Sequence, residues 1–329
     1  MKKIRYGIIG FGNFAEKTIA PAIHASANSE LVAIQKRSLE AAKRKAAEYK
    51  IPNAFESVEK LVAHPDVDAV FIVSANSAHC RETIAAARAG KHVLVEKPMA
   101  MNVKECREMI LASKENDVRL MVGHMVRLSP AVRRMKEIVQ SGSLGRISAI
   151  RTEFVYDARR SLRKWVFNQK VAGGGPWFDI GVHCLDTIRF MLDDKVDSVK
   201  AYLEPKPTAK RTESTVTATM RFSRGTLGSV YCSYSTPIRR SFIEVVGTEG
   251  ILSALNFTRS GLTIPLTIVR RANDNEDGTQ TVENIAVPDL YVEEVTLFSD
   301  CILKNAEPPI PGSVGLENQV ILDKVLRQS

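Results

Sequence analysis

Glu96 and Lys97 end an apolar run, His92-Val93-Leu94-Val95, and Pro98 follows them immediately. Two opposite charges at the end of a buried strand cost free energy unless they are paired or used. A lysine in such a place can hold an anion or donate to an oxygen on which negative charge develops. A second group with chemical potential is "YGIIGFGNFA", which carries Gly10-x-Gly12-x-x-Ala15 directly after an apolar strand and at the start of a helix. There the glycines, with Phe11 between them and Asn13 and Phe14 after them, let the backbone approach a pyrophosphate seated on a helix N-terminus. A third is Gln35-Lys36-Arg37-Ser38, at the end of the second strand, where a ribose-clamping carboxylate normally stands; Glu30 sits at the wrong end of that strand to substitute. Two cations and a hydroxyl complement a 2′-phosphate, which favours NADP(H) over NAD(H), with solvated helix-entry charges as the alternative for Lys36 and Arg37.

The elements that must position these groups alternate along the first third of the chain. Apolar runs at Ile4–Ile9, Leu31–Gln35, Ala69–Val73, His92–Val95 and Arg119–Val122 predict strands; Phe14–Ala25, Leu39–Tyr49, His79–Ala89 and Val103–Glu115 predict helices. Ser38 precedes one helix, and Asn102 with Glu105 forms a capping-box pattern before another. Alternation of this kind predicts an α/β Rossmann domain, a parallel doubly wound sheet, over residues 1–122. Beyond it, "GRISAIRTEFVY", "STVTATMRF", "TLGSVYCSYS" and "SFIEVVG" alternate as half-buried strands do, around a glycine-rich turn and two helices. Residues 123–329 are therefore expected to form a C-terminal α+β domain with a large, mostly antiparallel sheet. In open α/β sheets ligands bind outside the carboxyl ends of the strands. Ser74-Ala75-Asn76, Glu96-Lys97-Pro98 and Gly123-His124 all fall at that edge, so Lys97 is expected at the nicotinamide end of a dinucleotide.

Composition narrows the classes. A chain of 329 residues that is 44% hydrophobic and 25% charged fits two globular domains. Five scattered cysteines without a C-x-x-C pair fit reduced thiols in a cytoplasmic protein and imply no metal site. The formal net charge of +9 is spread among acidic residues without a basic stripe or aromatic interleaving, which argues against a nucleic-acid partner and for an anionic small ligand. Lys2-Lys3-Ile4-Arg5 resembles the charged start of a signal peptide, but glycines interrupt the apolar run and no cleavage pattern follows. No apolar run approaches a membrane span.

"GKHVLVEKPMA", placed after Gly10-x-Gly12-x-x-Ala15 and before "AGGGPWFDIGVHCLD", resembles the Gfo/Idh/MocA family of NAD(P)-dependent sugar and polyol oxidoreductases, and the likeness runs through the closing "EPPIPGSVGLENQVILDKVL". Within that family the run from Ala172 to Leu192 and the basic end of the second strand are similar to a group of NADP-dependent sugar reductases. The resemblance implies that Lys97, Asp179 and His183 form the catalytic set. Asp179 and His183 are four residues apart and share a helix face. His183 would be the general acid/base, Lys97 would polarise the reacting oxygen, and Asp179 would orient the substrate through its hydroxyls; Lys97 and His183 could exchange roles. By the same resemblance Ser74, Ala75, Asn76, His79, Glu96, Trp165 and Tyr291 join the cofactor site, Tyr291 from the second domain, and Arg127 joins the substrate site. Two residues depart from the family pattern: Val166 stands where arginine is frequent and Ala75 where proline is usual.

The expected activity is hydride transfer between NADP(H) and a sugar, keto-sugar or polyol. The alternative is a non-redox member, either a dinucleotide-sensing regulator or an NAD-dependent glycosidase. A pure sensor has no need of Lys97, Asp179 and His183 together. A broad alternating sheet also predicts a homo-oligomer paired through the C-terminal domain.

Overall fold

The computed structural model describes residues 2–272 and 275–328. The chain divides into two compact units, Met1–His124 with Tyr291–Val320, and Met125–Leu290 with Ile321–Ser329.

The first unit is built on β1 (Ile4–Ile9), β2 (Ser29–Gln35), β3 (Asn53–Phe55), β4 (Ala69–Ile72), β5 (His92–Glu96) and β6 (Leu120–Gly123). They lie in the order β3-β2-β1-β4-β5-β6, every pair parallel, which is the doubly wound sheet that the alternation predicts. The order reverses between β1 and β4, and the carboxyl ends of those two strands flank the crevice where such folds take ligands. Ile8, Ile9, Val70, Phe71, Ile72 and Val93 to Val95 are fully buried, as strands covered on both faces require. Local capping sets the helix starts. Ser38 accepts from the Ala41 N–H, and Asn102 accepts from Glu105 while the Glu105 carboxylate reaches back to the Met101 N–H at 3.0 Å. One helix differs from expectation: Ala15–Ile19 is a π-turn before the α-helix Ala20–Ala25. Pro21 has no N–H for the carbonyl four residues back, so the turn there widens.

Residues 291–320, which the sequence reading gives to the second domain, pack within the first unit. Tyr6 Oη lies 2.8 Å from Ser299 Oγ, Asn28 Nδ2 donates to Asp300 at 2.7 Å, and the Val122 N–H donates to the Ile310 carbonyl at 3.0 Å. The contacts that place this segment are tertiary, and no local pattern in its sequence signals which core it covers.

The second unit is an eight-stranded sheet of β7 (Ile147–Asp157), β8 (Val196–Glu204), β9 (Thr215–Phe222), β10 (Leu227–Ser233), β11 (Ser235–Gly247), β12 (Gly250–Leu255), β13 (Leu262–Ala272) and β14 (Asn275–Val287). Its order is β14-β13-β12-β11-β7-β10-β9-β8, with β7 and β10 parallel and the other pairs antiparallel. The helix Val182–Leu192 packs on β7 and β10 and against the helix Pro130–Gln140. On the opposite face the register aligns Tyr202, Thr217, Tyr231, Glu153, Phe242 and Leu255 in one row. In that row Tyr202, Tyr231 and Leu255 are exposed.

Candidate active site

In the first unit the predicted residues converge on the carboxyl edge of the sheet. Gly10 has φ +84°, and a Cβ there would lie 2.7 Å from the Ser74 Cα, so the β1 and β4 ends touch only because residue 10 is glycine. Gly12 differs. A Cβ at that position would meet nothing nearer than the Gly10 carbonyl at 3.8 Å. The protein's own packing does not require glycine 12, whereas a close ligand would. Phe11 buries its ring edge-on to Tyr49, leaving its backbone to the turn, and Tyr291 stands edge-on to the Phe14 ring with centroids 5.6 Å apart. Tyr291 thus reaches the fingerprint from a helix that packs in the first unit, not from the second. Exposed Asn13 completes the turn.

Beside that turn, Lys36 Nζ donates to the Phe11 carbonyl at 2.6 Å and lies over the Phe11 ring. Burial pushes its pKa down, Glu16 opposes the shift, and Lys45 and Arg44 add to it. Arg37 and Ser38 are exposed, Ser38 serving as the helix cap. Arg44, also exposed and close enough to act on Lys36, was invisible to the sequence reading because only the first turns of the helix Leu39–Glu48 bring it back toward the end of β2.

At β4 and β5 the positions are tightly tied. Ser74 Oγ donates to buried Glu82 at 2.5 Å, and burial raises the Glu82 carboxyl to about 7. Ala75 caps the helix Asn76–Arg88 in extended backbone, and Asn76 is buried at its start. His79 is buried with Nδ1 3.0 Å from the Pro98 carbonyl and Nε2 3.2 Å from the Ser74 carbonyl, so one imidazole links the ends of β4 and β5. Burial holds its pKa down. Glu96 folds back to accept from the Lys97 N–H at 3.2 Å, leaving Lys97 half-buried at the strand end.

In the second unit, Asp179 lies in a π-turn, Trp177–Gly181, that runs into the helix Val182–Leu192 carrying His183. The pair is therefore not on a plain α-helix, and π-turns of this kind are frequent at functional sites. A Cβ at Gly181 would collide with the Trp177 ring at 2.7 Å, and one at Gly175 with the Glu213 backbone. Glu213 is buried and accepts from the Gly175 and Trp177 N–H groups at 2.8 and 3.2 Å. The glycine run thus serves close packing, with a carboxylate capping the turn.

Asp179 Oδ2 receives the Tyr156 hydroxyl at 2.8 Å, the Tyr234 hydroxyl at 3.1 Å and Arg163 Nη2 at 3.1 Å, while Arg163 Nη1 reaches Oδ1 at 3.3 Å. Asp179 is the main cause raising the Arg163 pKa, and burial is the main cause raising those of both tyrosines. None of these three partners was singled out from the sequence, since they lie 16 to 55 residues from Asp179. The Phe154 ring lies 6.3 Å from that of buried His183, and Trp165 sits half-buried under the Arg163 guanidinium. Val166, at the position where the family frequently has arginine, is buried. Arg127 makes a two-point bond to buried Asp186 at 2.8 and 2.7 Å and stacks on Phe190, so its fork braces the His183 helix.

Residues 4–124 match the model of the oxidoreductase family with an NAD-binding Rossmann fold, GFO_IDH_MocA, and residues 132–253 match the GFO/IDH/MocA C-terminal domain. The chain is 33% identical over 313 residues to the 1,5-anhydro-D-fructose reductase of Ensifer adhaerens, covering 95% of this chain and 92% of the relative. It is 30% identical over 250 residues to trans-1,2-dihydrobenzene-1,2-diol dehydrogenase of Mus musculus, covering 75% and 73%. Among solved structures, the aldose-aldose oxidoreductase of Caulobacter crescentus in complex with glycerol superposes with a TM-score of 0.88 at 26% identity, over 99% of this chain and 97% of that one. Among the described residues no helix is long and apolar enough to cross a membrane.

Proposed function

Because the chain belongs to the Gfo/Idh/MocA family of oxidoreductases, with its NAD-binding Rossmann fold, we propose that it transfers a hydride between NADP(H) and a sugar, keto-sugar or polyol. The observation that carries the proposal is the open space at Gly12 beside a fingerprint turn whose other glycine is fixed by packing. A pyrophosphate fits there against the Gly12 to Phe14 backbone, with Ser74, Ala75, Asn76, His79, Glu96 and Tyr291 along the same edge. Lys36 and Arg37, joined by Arg44, offer the positive charge that a 2′-phosphate needs; NAD(H) lacks that phosphate and is the weaker ligand.

A nicotinamide dinucleotide held along that edge would supply the hydride or take it up. In this reading the chain's own residues manage the proton and the charge. His183 moves the proton at the reacting oxygen, and Lys97 donates to that oxygen as negative charge grows on it. Asp179, held by Tyr156, Arg163 and Tyr234, accepts from substrate hydroxyls. Trp165 and Arg127 belong to the same proposal, Trp165 as apolar wall and Arg127 through its brace on the His183 helix.

Two subsidiary proposals accompany this one. The exposed apolar row across the eight-stranded sheet is assigned to pairing between copies of the chain, to be checked by light scattering of wild type and Tyr202→Glu. The five cysteines are buried free thiols, in keeping with a reducing cytoplasmic setting.

The decisive experiment incubates the protein with sugars, keto-sugars and inositols together with NADP(H) or NAD(H) and follows nicotinamide absorbance. Substrate-dependent change in absorbance is expected. Cleavage of a glycoside without net absorbance change would replace the redox reading by a glycosidase, and binding without turnover of any substrate by a sensor.

A further inference from the structure

Asp179 is held by four hydrogen bonds from three side chains. One of its oxygens, Oδ2, receives two phenol hydroxyls and a guanidinium N–H within 3.1 Å. The three donors come from separate elements: Tyr156 from β7, Arg163 from the loop before the turn Lys164–Phe167, and Tyr234 from the link between β10 and β11. Arg163 Nη2 also donates to Tyr156 Oη at 3.2 Å, and the two phenol rings meet edge-on with centroids 5.3 Å apart. Each donor is therefore itself positioned by another.

We infer that Tyr156, Arg163 and Tyr234 form a clamp that keeps Asp179 ionised and fixed in rotation, which makes Asp179 a permanent hydrogen-bond acceptor and excludes it as the proton source. The inference rests on the proposal that Asp179 contacts the substrate. The chemistry is direct. A carboxylate that accepts several hydrogen bonds and faces a guanidinium is favoured over its protonated form, whereas burial alone would favour the neutral acid. Among the described residues, Arg163, Tyr156 and Tyr234 bond Asp179 and Cys232 from β10 lies within its field, with Glu213 near Tyr234 and Cys232. Of these, Arg163 carries the permanent positive charge. The same ion pair holds Arg163 protonated, since Asp179 is the leading cause of its raised pKa.

A clamp of this kind also assigns the proton roles. With Asp179 locked in the ionised state, the proton delivered to or taken from the reacting oxygen must come through His183 or Lys97. Tyr156, Arg163 and Tyr234 are thus positioning residues that act through Asp179.

The test is the pH dependence of kcat/KM for wild type, Arg163→Lys, Arg163→Gln, Tyr156→Phe, Tyr234→Phe and Asp179→Asn, with thermal melts to confirm folding. Arg163→Gln should move the acid limb upward by about 1–3 pH units, as expected when a carboxylate loses an adjacent guanidinium. Arg163→Lys should restore most of that shift, and each Tyr→Phe change should move the limb the same way by less. Carboxyl 13C titration of Asp179 in wild type and Arg163→Gln reads the same shift without turnover, and Tyr234→Phe, which removes one oxygen, covers the case in which Arg163→Gln does not fold. An Arg163→Gln protein slower by one factor at every pH, with the carboxyl titration unmoved, overturns the clamp. Retained activity in Asp179→Asn instead overturns the proposal beneath it, so the two failures are distinguishable.

Discussion

Glycines 10 and 12 make opposite predictions although they belong to one motif. At Gly10 the backbone is left-handed, which costs an L-residue roughly 1–2 kcal/mol, and an added Cβ meets Ser74 backbone atoms at 2.7 and 2.8 Å. Backbone atoms at the edge of a parallel sheet cannot swing away, so overpacking adds about 1–3 kcal/mol. Gly10→Ala should therefore lower Tm by about 5–15 °C, at roughly 2–4 °C per kcal/mol for a domain of this size. At Gly12 the backbone is not left-handed and the nearest atom to an added Cβ is 3.8 Å away. Stability of Gly12→Ala should stay within about 0.5 kcal/mol of wild type, or rise slightly because the unfolded chain is stiffer. Dinucleotide affinity should fall nonetheless. If the methyl displaces a pyrophosphate oxygen from one charge-assisted hydrogen bond of about 1.5–3 kcal/mol, Kd rises roughly ten- to hundredfold. Fluorescence titration with NADPH and NADH, paired with thermal melts of the unliganded proteins, separates the two terms. Wild-type affinity in Gly12→Ala would refute the reasoning, because the open space at residue 12 would then have no ligand to explain it.

Three further outcomes can be checked. Lys97→Ala should bind NADPH nearly as wild type does but lose on the order of a hundredfold in kcat, the cost of removing a donor to the developing charge; near-normal turnover makes Lys97 structural. Wild type should prefer NADPH to NADH by about tenfold to a thousandfold, from one or two charge-assisted bonds to the 2′-phosphate. Lys36→Asp should reverse the order in paired titrations, and equal wild-type affinities would return Lys36 and Arg37 to the solvent. Glu82, pushed up to about 7 by burial, keeps its proton between pH 4.5 and 7 in the folded state while the unfolded chain loses it. Stability should therefore fall as pH rises through that window, by on the order of 3 kcal/mol, and Glu82→Gln should flatten the slope and melt higher than wild type at pH 8; an unchanged slope in thermal melts assigns the effect elsewhere.

What could be read from the sequence follows from what is local. The fingerprint, the Asn102 capping box and the strand ends at Ser74 and Glu96 are encoded within a few consecutive residues, and the strand alternation fixes which edge they share. Asp179 and His183 could be singled out because they are near in sequence, although the π-turn under Asp179 departs from the plain helical spacing expected. Their supports could not. Tyr234 meets Asp179 from 55 positions away and Asp186 meets Arg127 from 59, and no periodicity links such residues. The three-residue β3 is too short for a pattern, and the π-turn at Trp177–Gly181 depends on how Gly181 lets the Trp177 ring in. The return of residues 291–320 to the first unit depends on single contacts such as Tyr6 with Ser299.

Those invisible supports share a feature. Glu82 sits beneath Ser74, Glu213 beneath the turn that carries Asp179, and Glu294 is wholly buried in the first unit with neither carboxyl oxygen hydrogen-bonded among the described residues. Burial pushes all three toward the neutral acid, and Glu96 adds to the effect on Glu294. An apolar side chain of similar size would fill each space without the desolvation cost, which for an imperfectly bonded polar group is about 1–3 kcal/mol. Stability alone does not account for acids at these places. Glu82 and Glu213 instead fix a hydroxyl or a pair of backbone N–H groups next to residues assigned to cofactor and substrate, where an error of 1 Å can cost about a hundredfold in rate. Glu294 has no bond of that kind to direct. Its electrostatic link to Glu96, whose carboxylate holds the Lys97 N–H, ties it to the end of β5, where the proposed reacting oxygen would lie.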